Sequence, residues 1–229
     1  MLTTVAAVWV KGPVRYTADY VVRLERMVRR HLARPFRFVC LTDQPELLPD
    51  HIETIRITAA QGVMPHSCGY WAKVELFKPG RFVAGARVLF IDLDSLVVGP
   101  LEPILDAPAP FVTTEDVFIH ERAHLDKDRY GHTLIRRFQG SVYCWDGGTH
   151  TDLYTAWSPS VAFRLSTDQD WLAERHPDAL ALPFAWFPRI SREQPPWRPD
   201  AKIVFVKKPK PHDAIQKWPW FDEAWGGWA

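Results

Sequence analysis

Short apolar runs alternate with amphipathic stretches along the first half of the chain. Residues 3–10 are apolar or β-branched throughout, residues 36–41 and 52–57 are mostly so, and each run predicts a strand. Residues 18–32 place apolar side chains every three or four positions behind Thr17, a suitable N-cap, and this spacing predicts a helix. The alternation favours a mostly parallel central sheet flanked by helices, an α/β architecture.

The rest of the chain adds fewer elements, and they are more widely spaced. Residues 67–78 predict a second helix that begins at Ser67 and stops before a Pro-Gly pair. Further apolar runs predict strands at residues 87–91, near 140–145 and at 202–206.

The C-terminal segment 213–229 is rich in tryptophan, with four of these residues between positions 218 and 228. The rings either fold back over the sheet or form an exposed platform for an acceptor, a partner or a membrane surface. We find no internal repeat, low-complexity linker or domain boundary. We therefore expect a single domain over residues 1–229 that includes this segment.

Two acids follow the apolar run 87–91 directly, in the motif Asp92-Leu93-Asp94. In extended chain, residues i and i+2 point to the same side, so we expect Asp92 and Asp94 to converge while Leu93 packs oppositely. Carboxylates are costly to bury without partners, and hard cations such as Mg²⁺ or Mn²⁺ prefer oxygen ligands. The motif predicts a metal and phosphate site, and a turn with two solvated aspartates is the alternative.

Three predicted strands end in polar or aromatic residues. The first ends at Trp9-Val10-Lys11, the second at Thr42-Asp43 and the fourth at the Asp92 motif. Ligands of α/β sheets collect beyond the carboxyl ends of the strands. We therefore expect a ligand site at this edge of the sheet.

Lys73 borders an apolar stripe of the predicted second helix. Its side chain either reaches solvent along that stripe or neutralises a diphosphate. Asp168-Gln169-Asp170 opens another helical pattern. A capping Asp168 and a first-turn Asp170 would account for the two acids, but Gln169 is left without a structural role.

Gln139-Gly140-Ser141 begins the strand predicted near residue 140. Small residues at this point let a ligand approach the backbone closely. An ordinary junction between a loop and a strand is the alternative.

Composition and charge exclude several classes of protein. The formal net charge is +1, which gives no sign of a nucleic-acid partner or an electrostatic membrane anchor. No stretch approaches the roughly 20 apolar residues of a transmembrane segment. Cys40, Cys68 and Cys144 lack the spacing of a disulfide framework or a zinc site. We expect a cytoplasmic protein.

Taken in order, these segments resemble the retaining glycosyltransferases of the glycogenin and lipooligosaccharide-galactosyltransferase type, a family-8-like group with the GT-A fold. The resemblance covers roughly residues 3–212. The matching segments read FVCLTD at 38–43, WAKVELF at 71–77, LFIDLD at 89–94, QGSV at 139–142, DQDWL at 168–172 and FVKKPKPH at 205–212.

The resemblance implies a nucleotide-diphospho-sugar donor, with uridine as the usual base, and an unknown carbohydrate, protein or small-molecule acceptor. Asp92 and Asp94 would hold Mn²⁺ or Mg²⁺, and His212 is a candidate third ligand. Lys73, Asp168 and Gln169 are the candidate catalytic residues. The candidate donor-binding residues are Trp9, Lys11, Tyr16, Thr42, Lys73, Leu93, Asp116, Gln139, Gly140, Ser141, Lys207, Lys208 and Lys210.

Two departures from the family pattern affect this site. Gln139-Gly140-Ser141 stands where the family has Asn-Ser-Gly or Asn-Ala-Gly. Val206 and Lys207 stand where the family has a histidine and a glycine, and that histidine is the third protein ligand of the metal. Either His212 substitutes for it, the C-terminal lysines neutralise the diphosphate with less help from metal, or turnover is lost.

We therefore expect a metal-assisted glycosyltransferase that retains anomeric configuration. One alternative is a non-catalytic nucleotide- or sugar-binding module on the same fold. A second is a haloacid-dehalogenase-type phosphatase with Asp92 as nucleophile. That family places this motif near the N-terminus, whereas 91 residues precede Asp92 in this chain.

Overall fold

The structure is a computed structural model of the 229-residue chain. It describes residues 3–11, 16–57, 69–116, 131, 137–165, 167–189, 197–206, 210, 211, 213, 214, 218 and 220–225.

Nine strands and six α-helices occur among these residues. The strands are β1 Thr3–Trp9, β2 Phe36–Thr42, β3 Glu53–Arg56, β4 Arg87–Ile91, β5 Ser95–Val97, β6 Phe111–Glu115, β7 Phe138–Asp146, β8 Leu180–Leu182 and β9 Ile203–Phe205. The α-helices are α1 Ala18–His31, α2 Glu102–Leu105, α3 Asp152–Thr155, α4 Pro159–Arg164, α5 Asp168–Arg175 and α6 Phe221–Ala224. Three 3₁₀ helices span Pro45–Leu47, Gly69–Phe77 and Phe184–Trp186.

Seven strands form the central sheet, in the order β3-β2-β1-β4-β7-β6-β8. The first four are parallel, β7 is antiparallel to both of its neighbours, and β8 is parallel to β6. Strands β5 and β9 pair antiparallel in a small second sheet. The predicted mostly parallel α/β sheet is confirmed, and β1, β2 and β4 bring their carboxyl ends to one edge.

The sheet is covered on both faces, because alternate residues of each strand point to opposite sides. Leu89 and Ile91 of β4 pack in a core layer with the apolar face of α1. Val88 and Phe90 pack in the other layer, with the 3₁₀ helix Gly69–Phe77 and with α5. Phe90 and Asp92 have the same parity, so the Asp92 side chain is directed toward this second layer.

The helix predicted over residues 67–78 is a 3₁₀ helix, Gly69–Phe77, and not an α-helix. Ser67, its predicted cap, lies outside the described residues. Six of the seven residues from Trp71 to Phe77 are buried, and Ala72 is the exception. Packing against α3, α5 and β1 therefore determines the conformation of this segment more than helix propensity does.

The described part of the C-terminal segment folds back on α1. The Trp225 ring is 1% exposed and packs edge-on against Tyr20, with ring centroids 4.7 Å apart. The Arg23 guanidinium lies 4.6 Å from the Trp225 ring centre, donates to its carbonyl oxygen at 3.1 Å and pairs with Asp222 at 2.7 Å. Among the described helices, none is both long enough and apolar enough to cross a membrane.

Candidate functional site

The Lys73 side chain joins three segments beyond the carboxyl end of β4. The residue is only 8% exposed, and its ammonium lies over the Phe90 ring. The Lys73 Nζ lies 2.9 Å from Asp92 Oδ1 and 3.5 Å from Asp168 Oδ2. It also donates a 2.6 Å hydrogen bond to the carbonyl oxygen of Gly140. Lys73 thus serves a polar site and does not extend into solvent.

The Lys73 ammonium is a single positive charge between the carboxylates of Asp92 and Asp168. Burial by itself would lower the pKa of Lys73, but the charges of Asp168 and Asp92 outweigh that effect and raise it. Burial raises the pKa of the Asp92 carboxyl to about 6, with Lys73 opposing the rise and Asp94 adding to it. Lys73 is therefore a fixed positive charge at neutral pH.

Asp168 is the first residue of α5 and faces the sheet. Thr167, and not Asp168, caps this helix, through a reciprocal capping box with Asp170. The Asp168 side chain is free of a capping role and accepts a 2.8 Å hydrogen bond from the Tyr143 hydroxyl. Gln169, which has no role as a cap, accepts a 3.1 Å hydrogen bond from the backbone N–H of Gly140.

Gly140 allows this close contact between β7 and α5. A Cβ at this position would lie 3.0 Å from Asp168 Oδ2 and 3.0 Å from the Tyr143 hydroxyl oxygen. The sequence predicted that a ligand approaches the backbone closely at this point. In this structure the side chains of Asp168 and Tyr143 lie against the backbone there.

Asp94 is held by two side chains that are distant in sequence. Tyr16 donates a 2.9 Å hydrogen bond to Asp94 Oδ2, and the Lys210 ammonium pairs with the same oxygen. Lys210 also donates to the Tyr16 hydroxyl oxygen at 2.9 Å. Burial, followed by the charges of Asp94 and Asp92, raises the pKa of Tyr16, so its hydroxyl remains protonated. The backbone N–H of Val206 donates to the Asp94 carbonyl at 3.1 Å.

A buried network lies next to this site and contains an arginine that the sequence analysis missed. Arg189, 3% exposed, donates to Gln139 Oε1 at 3.2 Å and pairs with Asp116 at 3.3 Å. Gln139 in turn donates to the Ser141 hydroxyl at 3.0 Å. Arg189 stands in a proline- and aromatic-rich segment without periodicity, so no local pattern marks it. Tyr143 could have been predicted from the sequence as a residue of this site, because it lies two residues beyond Ser141 and therefore on the same face of the strand.

Several predicted donor-binding residues make internal contacts. Trp9 is buried, and its indole N–H donates to the Tyr16 carbonyl at 3.0 Å. Thr42 is buried and its hydroxyl accepts from the Gln44 N–H at 3.0 Å. Leu93 packs in the core, which leaves only its backbone for a ligand.

Lys11 is exposed at the end of β1, and its backbone N–H donates to the Asp43 carboxylate at 3.1 Å. Its side chain is thus available at the predicted edge of the sheet. Lys207, Lys208 and His212 lie outside the described residues.

The two aspartates have the chemistry of a hard-cation site. Mg²⁺ is commonly held by one or two carboxylates together with substrate phosphates, and Mn²⁺ favours the same oxygen ligands. The Asp92 and Asp94 side chains keep 24% and 17% of their surface exposed, so both remain reachable. Lys73 and Lys210 compete with a cation for them. Val206 offers no ligand atom from its side chain.

No protein-family model and no curated protein sequence matches this chain significantly. Solved structures do match its fold. The crystal structure of the galactosyltransferase LgtC with donor and acceptor sugar analogues has a TM-score of 0.68 at 16% identity, over 98% of this chain and 95% of LgtC. The apo structure of the bifunctional glycosyltransferase WbbM has a TM-score of 0.62 at 13% identity, over 98% of this chain and 51% of that protein.

A third match is the apo form of the glycosyltransferase GlyE from Streptococcus pneumoniae TIGR4. Its TM-score is 0.59 at 13% identity, over 92% of this chain and 56% of GlyE. These likenesses confirm the predicted GT-A fold and the predicted resemblance to galactosyltransferases of the LgtC type. At such low identity they establish the fold, and the activity has to be argued from the site.

Proposed function

We propose that this chain transfers a sugar from a nucleotide-diphospho-sugar to a hydroxyl acceptor. The observation that carries the proposal is the position of Lys73, which lies between Asp92 and Asp168 at the carboxyl edge of a GT-A sheet. This edge is where ligands of α/β sheets bind. The solved structures that match this fold are glycosyltransferases, and this supports sugar transfer over the phosphatase alternative.

In the proposed reaction, the bond between the sugar C1 and the diphosphate oxygen breaks, and a bond from C1 to the acceptor oxygen forms. The nucleoside diphosphate leaves with an added negative charge, and the proton of the acceptor hydroxyl is released to solvent. Lys73 and Lys210 supply positive charge beside the leaving group, where stabilisation of the developing charge lowers the barrier. We propose retention of configuration from the resemblance to the family.

Asp168 and Gln169 are the proposed residues at the sugar. The Tyr143 hydroxyl and the Gly140 backbone fix their orientations. Such fixed polar groups contribute to catalysis by holding reacting groups in one geometry. Asp116, Gln139 and Ser141, linked through Arg189, would extend this polar surface.

We also propose that Asp92 and Asp94 hold Mg²⁺ or Mn²⁺ when the donor binds. The bound cation would neutralise the diphosphate as a Lewis acid. For this to occur, Lys210 has to move from Asp94 toward the donor phosphates. Its side chain is 30% exposed, which allows such a movement. We further propose a cytoplasmic location, in line with the free, buried Cys40 and Cys144.

A thermal-shift and turnover experiment tests the proposal. A panel of nucleotide-sugars is added with and without Mn²⁺, and release of nucleoside diphosphate is measured with simple sugars as acceptors. A donor at 100 times its dissociation constant stabilises the fold by about 2.7 kcal/mol. We expect one donor to give a shift that the Asp92→Asn/Asp94→Asn variant loses.

Asp106→Asn is the matched control, because Asp106 is an exposed acid in a surface pair with Arg34. It should keep the wild-type shift. A shift without any turnover would favour the non-catalytic binding module, which the valine at position 206 also favours. If no donor shifts the wild-type protein, the proposal is wrong.

A further inference from the structure

Three potential metal ligands lie at the sheet edge opposite the candidate active site. His150 follows β7, Asp152 begins α3 and His176 is the C-cap of α5. Because β7 is antiparallel to β4, its last residue, Asp146, pairs with Arg87 at the start of β4. The Asp92 motif follows the other end of β4, about 13 Å away at strand spacing.

The geometry of this cluster suits a small cation. One ligand atom from each of His150, Asp152 and His176 lies within 4.8 Å of the others, and all three residues are half-buried. His176 Nε2 lies 3.2 Å from Asp152 Oδ1. Ligand atoms about 2.1 Å from a tetrahedral zinc ion lie about 3.4 Å apart. Side-chain shifts of about 1 Å would therefore close the site.

Neighbouring groups already orient the three ligands. Arg175 donates to Asp152 Oδ2 at 2.9 Å, which leaves Oδ1 directed toward the histidines. The Phe111 ring contacts both imidazoles, edge-on at 4.9 Å for His150 and stacked at 5.9 Å for His176. Partners that hold ligand side chains in this way are a regular part of metal sites.

The backbone conformation of His150 is also unusual. It has a φ of 54°, and it is the one non-glycine residue with positive φ among those the structure describes. Histidine adopts this conformation more readily than most residues, but the conformation is still strained.

We propose that His150, Asp152 and His176 form a binding site for a divalent transition metal of the zinc class. Two imidazoles and one carboxylate suit Zn²⁺ better than Mg²⁺, which prefers oxygen ligands alone. The fourth position of a tetrahedral ion would be taken by water. This site is separate from the oxygen-only pair Asp92 and Asp94, and its existence does not depend on the proposed transferase activity.

The bound ion would act as a structural clamp with an effect on the active site. It would fix the C-terminal end of α5, whose first two residues are Asp168 and Gln169. Eight helical residues place the two ends about 12 Å apart. It would also join α5 to α3 and to the turn after β7, and so hold Asp168 against Tyr143.

Zinc titration of the tag-free protein, with a chromophoric chelator as competitor, tests the site. Excess Mg²⁺ occupies oxygen-only sites during the titration. We expect one equivalent of Zn²⁺, and a tetrahedral absorption spectrum when Co²⁺ replaces it. His150→Asn and His176→Ala should each weaken binding at least tenfold. Asparagine is chosen at position 150 because it tolerates positive φ.

His51→Asn is the matched control, since His51 is exposed and belongs to no such cluster among the described residues. It should bind Zn²⁺ as the wild type does. Circular dichroism confirms that each variant is folded before titration. Hydrogen exchange across residues 168–175 should slow when Zn²⁺ is added to the wild type or to His51→Asn, but not when it is added to His150→Asn or His176→Ala. No binding, or binding that survives both histidine substitutions, would overturn the proposal.

Discussion

The Lys73 ammonium lies 2.9 Å from Asp92 Oδ1, across 19 residues of sequence, and the Lys73 side chain is 10% exposed while that of Asp92 is 24% exposed. Lys73, at the border of an apolar stripe, therefore points into the protein, where it pairs with Asp92 and Asp168. Removal of the cation would leave buried acids without compensation, which is costlier than loss of a surface pair.

We therefore expect Lys73→Met to lower both stability and activity. Breaking a buried pair costs about 3 kcal/mol, toward the low end of the usual range because Asp92 is still 24% exposed. If the site transfers sugar as proposed, loss of the positive charge beside the proposed position of the leaving phosphate should lower kcat by about 100-fold. Urea unfolding and donor turnover measure the two effects. Lys78→Met, at an exposed lysine in the following turn, should change neither; equal losses in both variants would contradict the assignment.

A methyl group at position 140 should disturb the contact between β7 and α5. The added carbon of Gly140→Ala would lie 3.0 Å from both Asp168 Oδ2 and the Tyr143 hydroxyl oxygen, and would push the carboxylate out of place. Misplacement of about 1 Å in a catalytic group costs on the order of 100-fold in rate. We expect kcat to fall by that order while the fold persists, as judged by thermal unfolding.

Gly69→Ala is a suitable comparison for this substitution. Its added carbon would meet only a Val10 methyl group at 3.4 Å, an ordinary contact, and activity should be retained. If Gly140→Ala is as active as Gly69→Ala, then the position of the Asp168 carboxylate does not matter for the reaction.

Lys210 is expected to act as an internal competitor of the metal. Lys210→Met removes the ammonium group from Asp94, so Mn²⁺ should bind about tenfold more tightly, a change of 1.4 kcal/mol. Donor affinity should fall at the same time, because a positive charge near the diphosphate is lost. Mn²⁺ titration followed by electron paramagnetic resonance measures the first effect. Unchanged or weaker Mn²⁺ binding would show that Lys210 does not compete for this carboxylate.

The two described cysteines should be inert in the folded protein. Burial raises the pKa of Cys40 to about 12, and burial likewise raises the pKa of Cys144 to about 12. The thiolate, which is the reactive form, is therefore scarce at pH 8. In a Cys68→Ser background, iodoacetamide at pH 8 should label neither residue until guanidinium is added. Rapid labelling of the native protein would mean that these strands open frequently.

The sequence by itself determined most of the first half of the fold. Apolar runs and helical spacing located β1, α1, β2 and β4 to within one or two residues, since each element buries a continuous set of its own side chains. Polar strand ends indicated the edge of the sheet at which Lys73, Asp92 and Asp168 meet. Motif order along the chain pointed to the GT-A fold, which the solved structures confirm.

Only the tertiary structure decided which groups meet at that edge. Tyr143 reaches Asp168 across 25 residues, Lys210 reaches Asp94 across 116, and Arg189 reaches Gln139 across 50. No local pattern encodes such pairs, because they depend on how separate elements pack. Tertiary packing also decided the 3₁₀ form of Gly69–Phe77, which follows from burial on nearly all sides. It likewise brought together His150, Asp152 and His176, which come from three different parts of the fold.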